Sequence, residues 1–88
     1  MNGSGTLEQF PCLYTFKIFG RRSETFVDRV CTILGATLGA LPRDAVSVRE
    51  SSQGRYVSVT VLVHVEDRAQ LERVYADLRA DDQVLLYI

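Results

Sequence analysis

The residues best suited to binding chemistry are Gly20, Arg21, Arg22 and Ser23, which join a predicted strand to a predicted helix. Two guanidinium groups beside the free backbone N–H groups of a helix N-terminus can hold a carboxylate or a phosphate. The segment is therefore a candidate site for a small anionic ligand. The alternative is a solvated connection whose arginines only keep the surface charged.

A second candidate is the hydroxyl-rich segment Ser-Ser-Gln-Gly-Arg-Tyr at residues 51–56. Gly54 tolerates the positive backbone angle that a tight turn imposes, and Tyr56 opens a long predicted strand. Serine and glycine are ordinary turn residues, so a hairpin alone explains the segment. As a recognition loop, it would contact a partner through Ser52, Gly54 and Tyr56.

The sequence predicts no catalytic residue, metal site or cofactor. His64 is the only histidine, and no serine or carboxylate cluster stands around it at the spacing of a nucleophile–base pair. The carboxylates are spread over predicted helix surfaces and loops, without the convergence of an acid–base pair. Cys12 and Cys31 lack the paired spacing of a zinc or redox motif and are expected to be small buried residues. A small enzyme subunit remains an alternative.

The composition is that of a folded domain with no general attraction to polyanions. The chain has 88 residues, 47% of them apolar and 24% charged, with ten basic and eleven acidic side chains. A chain of this size has room for one two-layer core. We expect one domain over residues 10–88 after a flexible tail at residues 1–9. Without a signal peptide or a run of membrane-spanning length, a cytoplasmic location without membrane contact is the expectation.

Hydrophobic periodicity predicts the element order βαββαβ. Strand one covers residues 12–19, and the first helix follows with Ser23 as its N-cap and Gly39 as its stop. Strand two is a short alternating segment at residues 46–49. Strand three covers residues 56–65, Asp67 caps the second helix, and strand four closes the chain at residues 84–88. This order is that of a ferredoxin-like α+β sandwich, with two helices on one face of a four-stranded antiparallel sheet.

The fold predicts one sheet face without a helical cover. In the expected strand order of four, one, three and two, the valines at the odd positions 57–65 lie under the helices. Phe19 and Leu62 point to the opposite, uncovered face, together with Tyr56. Strand four contributes either Leu85 and Tyr87 or their neighbours, and the pattern leaves both open. An uncovered apolar face commonly meets a partner, so Phe19 and Leu62 join the candidate partner contacts.

Several of these segments together resemble the YbeD-like family of small bacterial proteins. They are Phe10-Pro11, the stretch Tyr-Thr-Phe-Lys-Ile-Phe-Gly at residues 14–20, the block at residues 51–61, and Gln70-Leu71 with Val74, Tyr75 and Leu78. The resemblance implies a fold similar to ACT regulatory domains, which often pair and bind small effectors between their sheets or loops. It also implies an ill-defined role with a suggested link to lipoate metabolism, and it supplies no catalytic residues.

The leading hypothesis is a non-catalytic regulatory or adaptor domain that acts through a homodimer or a protein partner, with a small metabolite as an effector. The alternative is a weak RNA-binding module, because RNA-recognition motifs use this fold and stack bases on the open sheet face. Ser58 stands where a second stacking aromatic would be needed, and the charge balance is slightly acidic. Nucleic acid is therefore not the expected partner.

Overall fold

Strands and helices follow one another in the order that the periodicity predicts. The computed structural model describes residues 9–88, so the predicted tail lies outside the described residues except for Gln9. The elements are β1 (Cys12–Arg21), α1 (Phe26–Leu38), β2 (Val46–Glu50), β3 (Tyr56–Val65), α2 (Arg68–Ala80) and β4 (Val84–Tyr87), with a short 3-10 helix at Arg43–Ala45. The sheet is antiparallel with the order β2-β3-β1-β4. The ferredoxin-like arrangement is confirmed.

The core lies between the two helices and one face of the sheet. Because side chains alternate across a strand, β1 and β3 each bury every second residue. The buried apolar residues are Phe16, Ile18, Phe26, Val30, Leu34, Val57, Val59, Val61, Val65, Leu71, Val74 and Leu78. Each such side chain contributes about 1.5–3 kcal/mol when it is fully buried. At the strand ends away from the β2–β3 hairpin, the core-facing Cys12, Tyr14 and Val63 are only partly buried.

The predicted end of α1 and the predicted N-cap of α2 are both present. Gly39 ends α1 with a φ of 89° and donates its N–H to Gly35 O at 2.9 Å. Asp67 caps α2, where its side chain accepts the Gln70 N–H at 2.9 Å. Both of these predictions are confirmed.

The prediction that Ser23 caps α1 is wrong. The helix begins at Phe26 with Thr25 as its N-cap residue, and no side chain caps it. The reason is that β1 runs two residues further than the glycine suggested, because Gly20 pairs with Val57 and Arg21 with Tyr56. The connection is thereby shifted toward the C-terminus.

A bulge in β4 decides which of its side chains face the core. Ile18 pairs with Tyr87 and Phe19 with Leu86, but Gly20 pairs with Val84, so Leu85 is an extra residue. Beyond the strand, Ile88 exchanges two backbone hydrogen bonds with Lys17, at 2.9 and 2.8 Å. Residues directly opposite one another share a sheet face. Leu86 and Ile88 therefore lie on the uncovered face, whereas Val84 and Tyr87 pack against the core.

Neither helix of residues 9–88 is long and apolar enough to cross a membrane. Both cysteines are free thiols, and both are half-buried rather than buried as the sequence predicts. Partial burial raises the pKa of the Cys31 thiol, and the nearby Asp28 carboxylate raises it further.

Candidate functional site

No helix of residues 9–88 covers the sheet face opposite α1 and α2, and we call it the open face. The register assigns to it alternate residues of every strand. They are Leu13, Thr15, Lys17, Phe19 and Arg21 of β1, Ser47 and Arg49 of β2, Tyr56, Ser58, Thr60, Leu62 and His64 of β3, and Leu86 with Ile88 at the end of the chain. The expected face without a helical cover is thus present within the described residues, and it mixes apolar side chains with polar and basic ones.

Large apolar side chains of the open face are unusually accessible. The exposed fraction is 46% for Leu62, 55% for Leu86 and 63% for Ile88. Leu13 and Tyr56 are exposed to a similar degree. When a second surface covers such side chains, the removal of their apolar area from water contributes a favourable free energy of about 25 cal/mol per Å². This face is therefore the part of the described chain best suited to an apolar contact.

A shallow pocket lies where the open face meets the β2–β3 hairpin, and we call it the hairpin pocket. Its volume is about 220 Å³, and its lining includes Phe19, Arg49, Glu50, Tyr56 and Ser58. The hairpin is fixed by backbone hydrogen bonds of 2.9 Å between Gly54 and Ser51 and between Ser51 and Tyr56. Gly54 has a φ of 72°, which confirms its role in the turn.

A second pocket adjoins the first and shares Tyr56 with it. This arginine pocket has a volume of about 470 Å³ and is lined by Arg21, Arg22, Gly54, Arg55 and Tyr56. The Arg22 N–H donates to Arg55 O at 2.9 Å, which holds the end of β1 beside the start of β3. The Arg22 guanidinium also bonds the Glu50 carboxylate, with 2.9 Å between Nε and Oε2. Of the three arginines that line this pocket, Arg22 is thus the one bonded to Glu50.

The predicted anion site at residues 20–23 is only partly assembled. Arg21 and Arg22 reach the arginine pocket, but Gly20 is buried inside the sheet and Ser23 does not line the pocket. Gly20 is a glycine for another reason, because an added Cβ would overlap the Phe26 ring and lie 2.7 Å from Gln83 O. Of the backbone N–H groups expected to be free before α1, that of Arg22 is bonded within the fold.

The predicted partner contacts fall into two groups. Phe19 and Tyr56 line the hairpin pocket together, and Ser52 lies close to Tyr56 in a small hollow of the turn. Leu62 is further along β3, opposite Thr15. The predicted contacts are therefore a group at the hairpin and a separate leucine on the same face of the sheet.

Sequence reasoning missed Arg55 in the arginine pocket and Arg49 in the hairpin pocket. Both follow from the antiparallel register, which sets Arg49 opposite Ser58 and the end of β1 beside the start of β3. The pairing of β1 with β3 was predicted, so matching their ends residue by residue could have found Arg55. Leu86 and Ile88 could not be assigned to the open face, because the bulge leaves no sequence signature.

The titratable residues do not form a recognisable reaction centre within the described part of the chain. His64 lies on the open face opposite Leu13, so its cross-strand neighbour is a leucine rather than a serine or a carboxylate. Residues 9–88 hold no cluster of three His, Cys, Asp or Glu side chains that could share a metal ion. The arrangement offers binding groups, namely guanidiniums, aromatic rings and aliphatic side chains.

Together, these features define a small ferredoxin-like α+β domain with an exposed sheet face. A family model described as a protein of unknown function, DUF493, matches residues 6–88. The chain belongs to this family, and the expected YbeD-like membership is confirmed.

Bacterial relatives named UPF0250 protein support the same assignment. One from Vesicomyosocius okutanii is 37% identical over 76 residues, covering 86% of this chain and 83% of its own. One from Shewanella woodyi is 39% identical over 79 residues, with 89% and 86% covered. One from Chromobacterium violaceum is 33% identical over 82 residues, with 93% and 92% covered.

A solved structure is similar in fold. The solution structure of protein HP0495 from H. pylori matches with a TM-score of 0.67 at 14% identity, covering 100% of this chain and 96% of that one. At that identity, the likeness concerns the fold alone.

Proposed function

We propose that this protein is a non-catalytic binding module, a regulatory or adaptor domain that acts through a contact on its open face. The observation that carries the proposal is the set of exposed apolar side chains on that face, among them Leu62, Leu86 and Ile88. Monomeric proteins rarely leave a contiguous apolar patch uncovered unless it binds something. The occupant is a protein surface, either a second copy or another protein. Two free thiols fit a reducing compartment, and we place the protein in the cytoplasm.

The experiment compares two charge insertions at equally exposed apolar residues. Leu62→Asp changes the open face, whereas Val48→Asp changes β2 opposite the core residue Val59, on the other side of the sheet. Affinity capture from the source cytosol and light scattering after size exclusion report protein partners and self-association. We expect Leu62→Asp to lose the captured protein or the dimer and Val48→Asp to keep it. Equal behaviour of the two variants would remove the basis of the proposal.

A second candidate function is the sensing of a small carboxylate, favoured by the adjoining pockets. The arginine pocket offers guanidinium groups for an acid, and the hairpin pocket offers Phe19 and Tyr56 for an apolar chain. A metabolite with both parts, such as octanoate or lipoate, fits this chemistry and agrees with the suggested link to lipoate metabolism. Such a ligand would neutralise the arginines beyond what Glu50 already does.

Isothermal titration tests this candidate with octanoate, lipoate, amino acids and nucleotides. The variant Arg21→Ala/Arg55→Ala should lose any heat of binding. Arg73→Ala is the matched control, because Arg73 is an exposed arginine of α2 that pairs with Asp77. Heat that survives in the double variant, or no heat from any ligand, would argue against a sensing role.

A further inference from the structure

The charged positions in the open-face register are all basic, although most basic residues of the described chain lie elsewhere. The charged positions of that face are Lys17, Arg21 and Arg49, with His64 as the remaining titratable residue. Every acidic residue within 9–88 occupies a helix, a connection or, for Glu50, the core-facing register of β2. The chain as a whole carries a formal charge of -1, so the basic face is a local feature.

From these basic positions we infer that the partner of the open face is an acidic, apolar segment of another protein, an inference that rests on the proposed binding role of that face. The positive groups lie among the exposed apolar side chains rather than at a distance from them. Lys17 sits in a central strand between Ile88 and Thr60, and Arg49 lines the hairpin pocket beside Phe19. A partner that covers the leucines must therefore also meet these cations. Carboxylates at the contact positions of the partner would pair with these cations.

Face-to-face pairing of two copies is disfavoured by the same charges. An isologous contact places the same patch of each copy against the other. Lys17 and Arg49 of one copy would then approach Lys17 and Arg49 of the second, and like charges across an interface are strongly unfavourable. Among residues 9–88 the open-face register has no carboxylate, and Glu50, which lines the hairpin pocket beside Arg49, is already paired with Arg22.

The dimensions of the face are compatible with a short segment of a partner. Four strands about 4.8 Å apart and of at most ten residues span roughly 19 by 33 Å. A short extended or helical segment can lie along such a face.

Single-stranded nucleic acid fits the aliphatic side chains of the face poorly. Bases gain their binding energy by stacking on aromatic rings, and the open face of residues 9–88 presents Phe19 and Tyr56 near the hairpin and the His64 imidazole at the far end of β3. Leu62, Leu86 and Ile88 offer no ring for a base but pack well against apolar side chains. The mixture of cations with leucines therefore selects an acidic peptide over a polynucleotide.

Fluorescence anisotropy tests the inference with three short labelled peptides that alternate leucine with glutamate, glutamine or lysine, and with a short single-stranded RNA. We expect the glutamate peptide to bind at least about tenfold more tightly than the lysine peptide, since several exposed charge pairs each add a small increment. Raising the salt concentration should weaken this preference. The variant Lys17→Glu/Arg49→Glu should reverse it, and Arg73→Glu/Arg79→Glu on α2 should leave it unchanged.

The outcomes separate this inference from the proposed binding role. Tighter binding of the lysine peptide or of RNA, no preference between glutamate and glutamine, or no peptide binding at all would overturn the acidic partner. The binding role would still stand if Leu62→Asp removes a captured protein that Val48→Asp retains. A dimer that Leu62→Asp separates would show that a second copy occupies the face, against the charge argument. If no open-face substitution changes any association, both proposals are lost.

Discussion

The sharpest structural prediction concerns Gly20→Ala in the middle of the sheet. An added Cβ would overlap the ring of Phe26 and come within 2.7 Å of Gln83 O. Phe26 is 1% exposed and packed on all sides, so its ring has no free space into which it can move. Overpacking a filled core costs about 1–3 kcal/mol, and a backbone oxygen as one of the obstacles places this change at about 3 kcal/mol or above. A domain of this size has a free energy of unfolding of only about 5–15 kcal/mol.

Urea unfolding followed by circular dichroism measures the effect. With a slope of about 1 kcal/mol per M, the midpoint should fall by about 3 M for Gly20→Ala. Gly35→Ala is the matched control, because Gly35 lies in α1 and its added Cβ would have no atom within 4 Å. That variant should gain about 0.5–1 kcal/mol from helix propensity.

A double variant checks the assigned cause. If the Phe26 ring is the main obstacle, Gly20→Ala should cost less when Phe26→Leu has already shortened that side chain. Equal unfolding free energies for Gly20→Ala and the wild type would refute the close packing of β1 against Phe26. That result would also support the interpretation of Gly20 as part of an anion-binding connection between β1 and α1.

Three further changes have direct measurements. Asp67→Ala should lower the free energy of unfolding by about 1 kcal/mol through loss of the cap on Gln70, while Ser23→Ala should leave the unfolding midpoint unchanged. Gly54→Ala should cost about 1–2 kcal/mol because the φ of 72° disfavours a side chain, and Gly54→Asn should cost less by the same measurement. Because its pKa is raised, the Cys31 thiol should be alkylated by iodoacetamide with a pH midpoint above the ordinary value of about 8.5, and a midpoint at or below that value would contradict the assigned environment.

The sequence predicted the fold because the core has a simple periodicity. The bounds of β3 were predicted without error, since valines at alternate positions leave one choice of face and a glycine turn marks the start. The strand order followed from the predicted ferredoxin-like topology. Burial of one face of β1 and one stripe of each helix completed the pattern.

The site was less predictable because its geometry depends on strand ends and pairing. A glycine followed by two arginines is typical of a loop. Gly20 nevertheless pairs with Val57 within β1, and only a glycine fits beneath Phe26. The bulge at Leu85 arises from packing between β4 and β1, and no local sequence signal marks it. The presence of only basic groups among the charged open-face positions is also a property of the register. The basic residues of the open face are scattered through the sequence and come together only in the sheet.

Phe19 and Gly20 show how one strand separates stability from recognition. They are adjacent in β1, but Gly20 faces Phe26 across the core whereas Phe19 lies on the open face opposite Ser58 and beside the hairpin pocket. A charge at residue 19 can remain in water, so Phe19→Asp should keep the circular dichroism spectrum of the wild type and still weaken partner binding. A methyl group at residue 20 should instead lower stability while the remaining folded protein binds as before. The opposite result, a collapse of the fold by Phe19→Asp, would mean that the two faces of the sheet have been exchanged. The proposed binding face would then be part of the core.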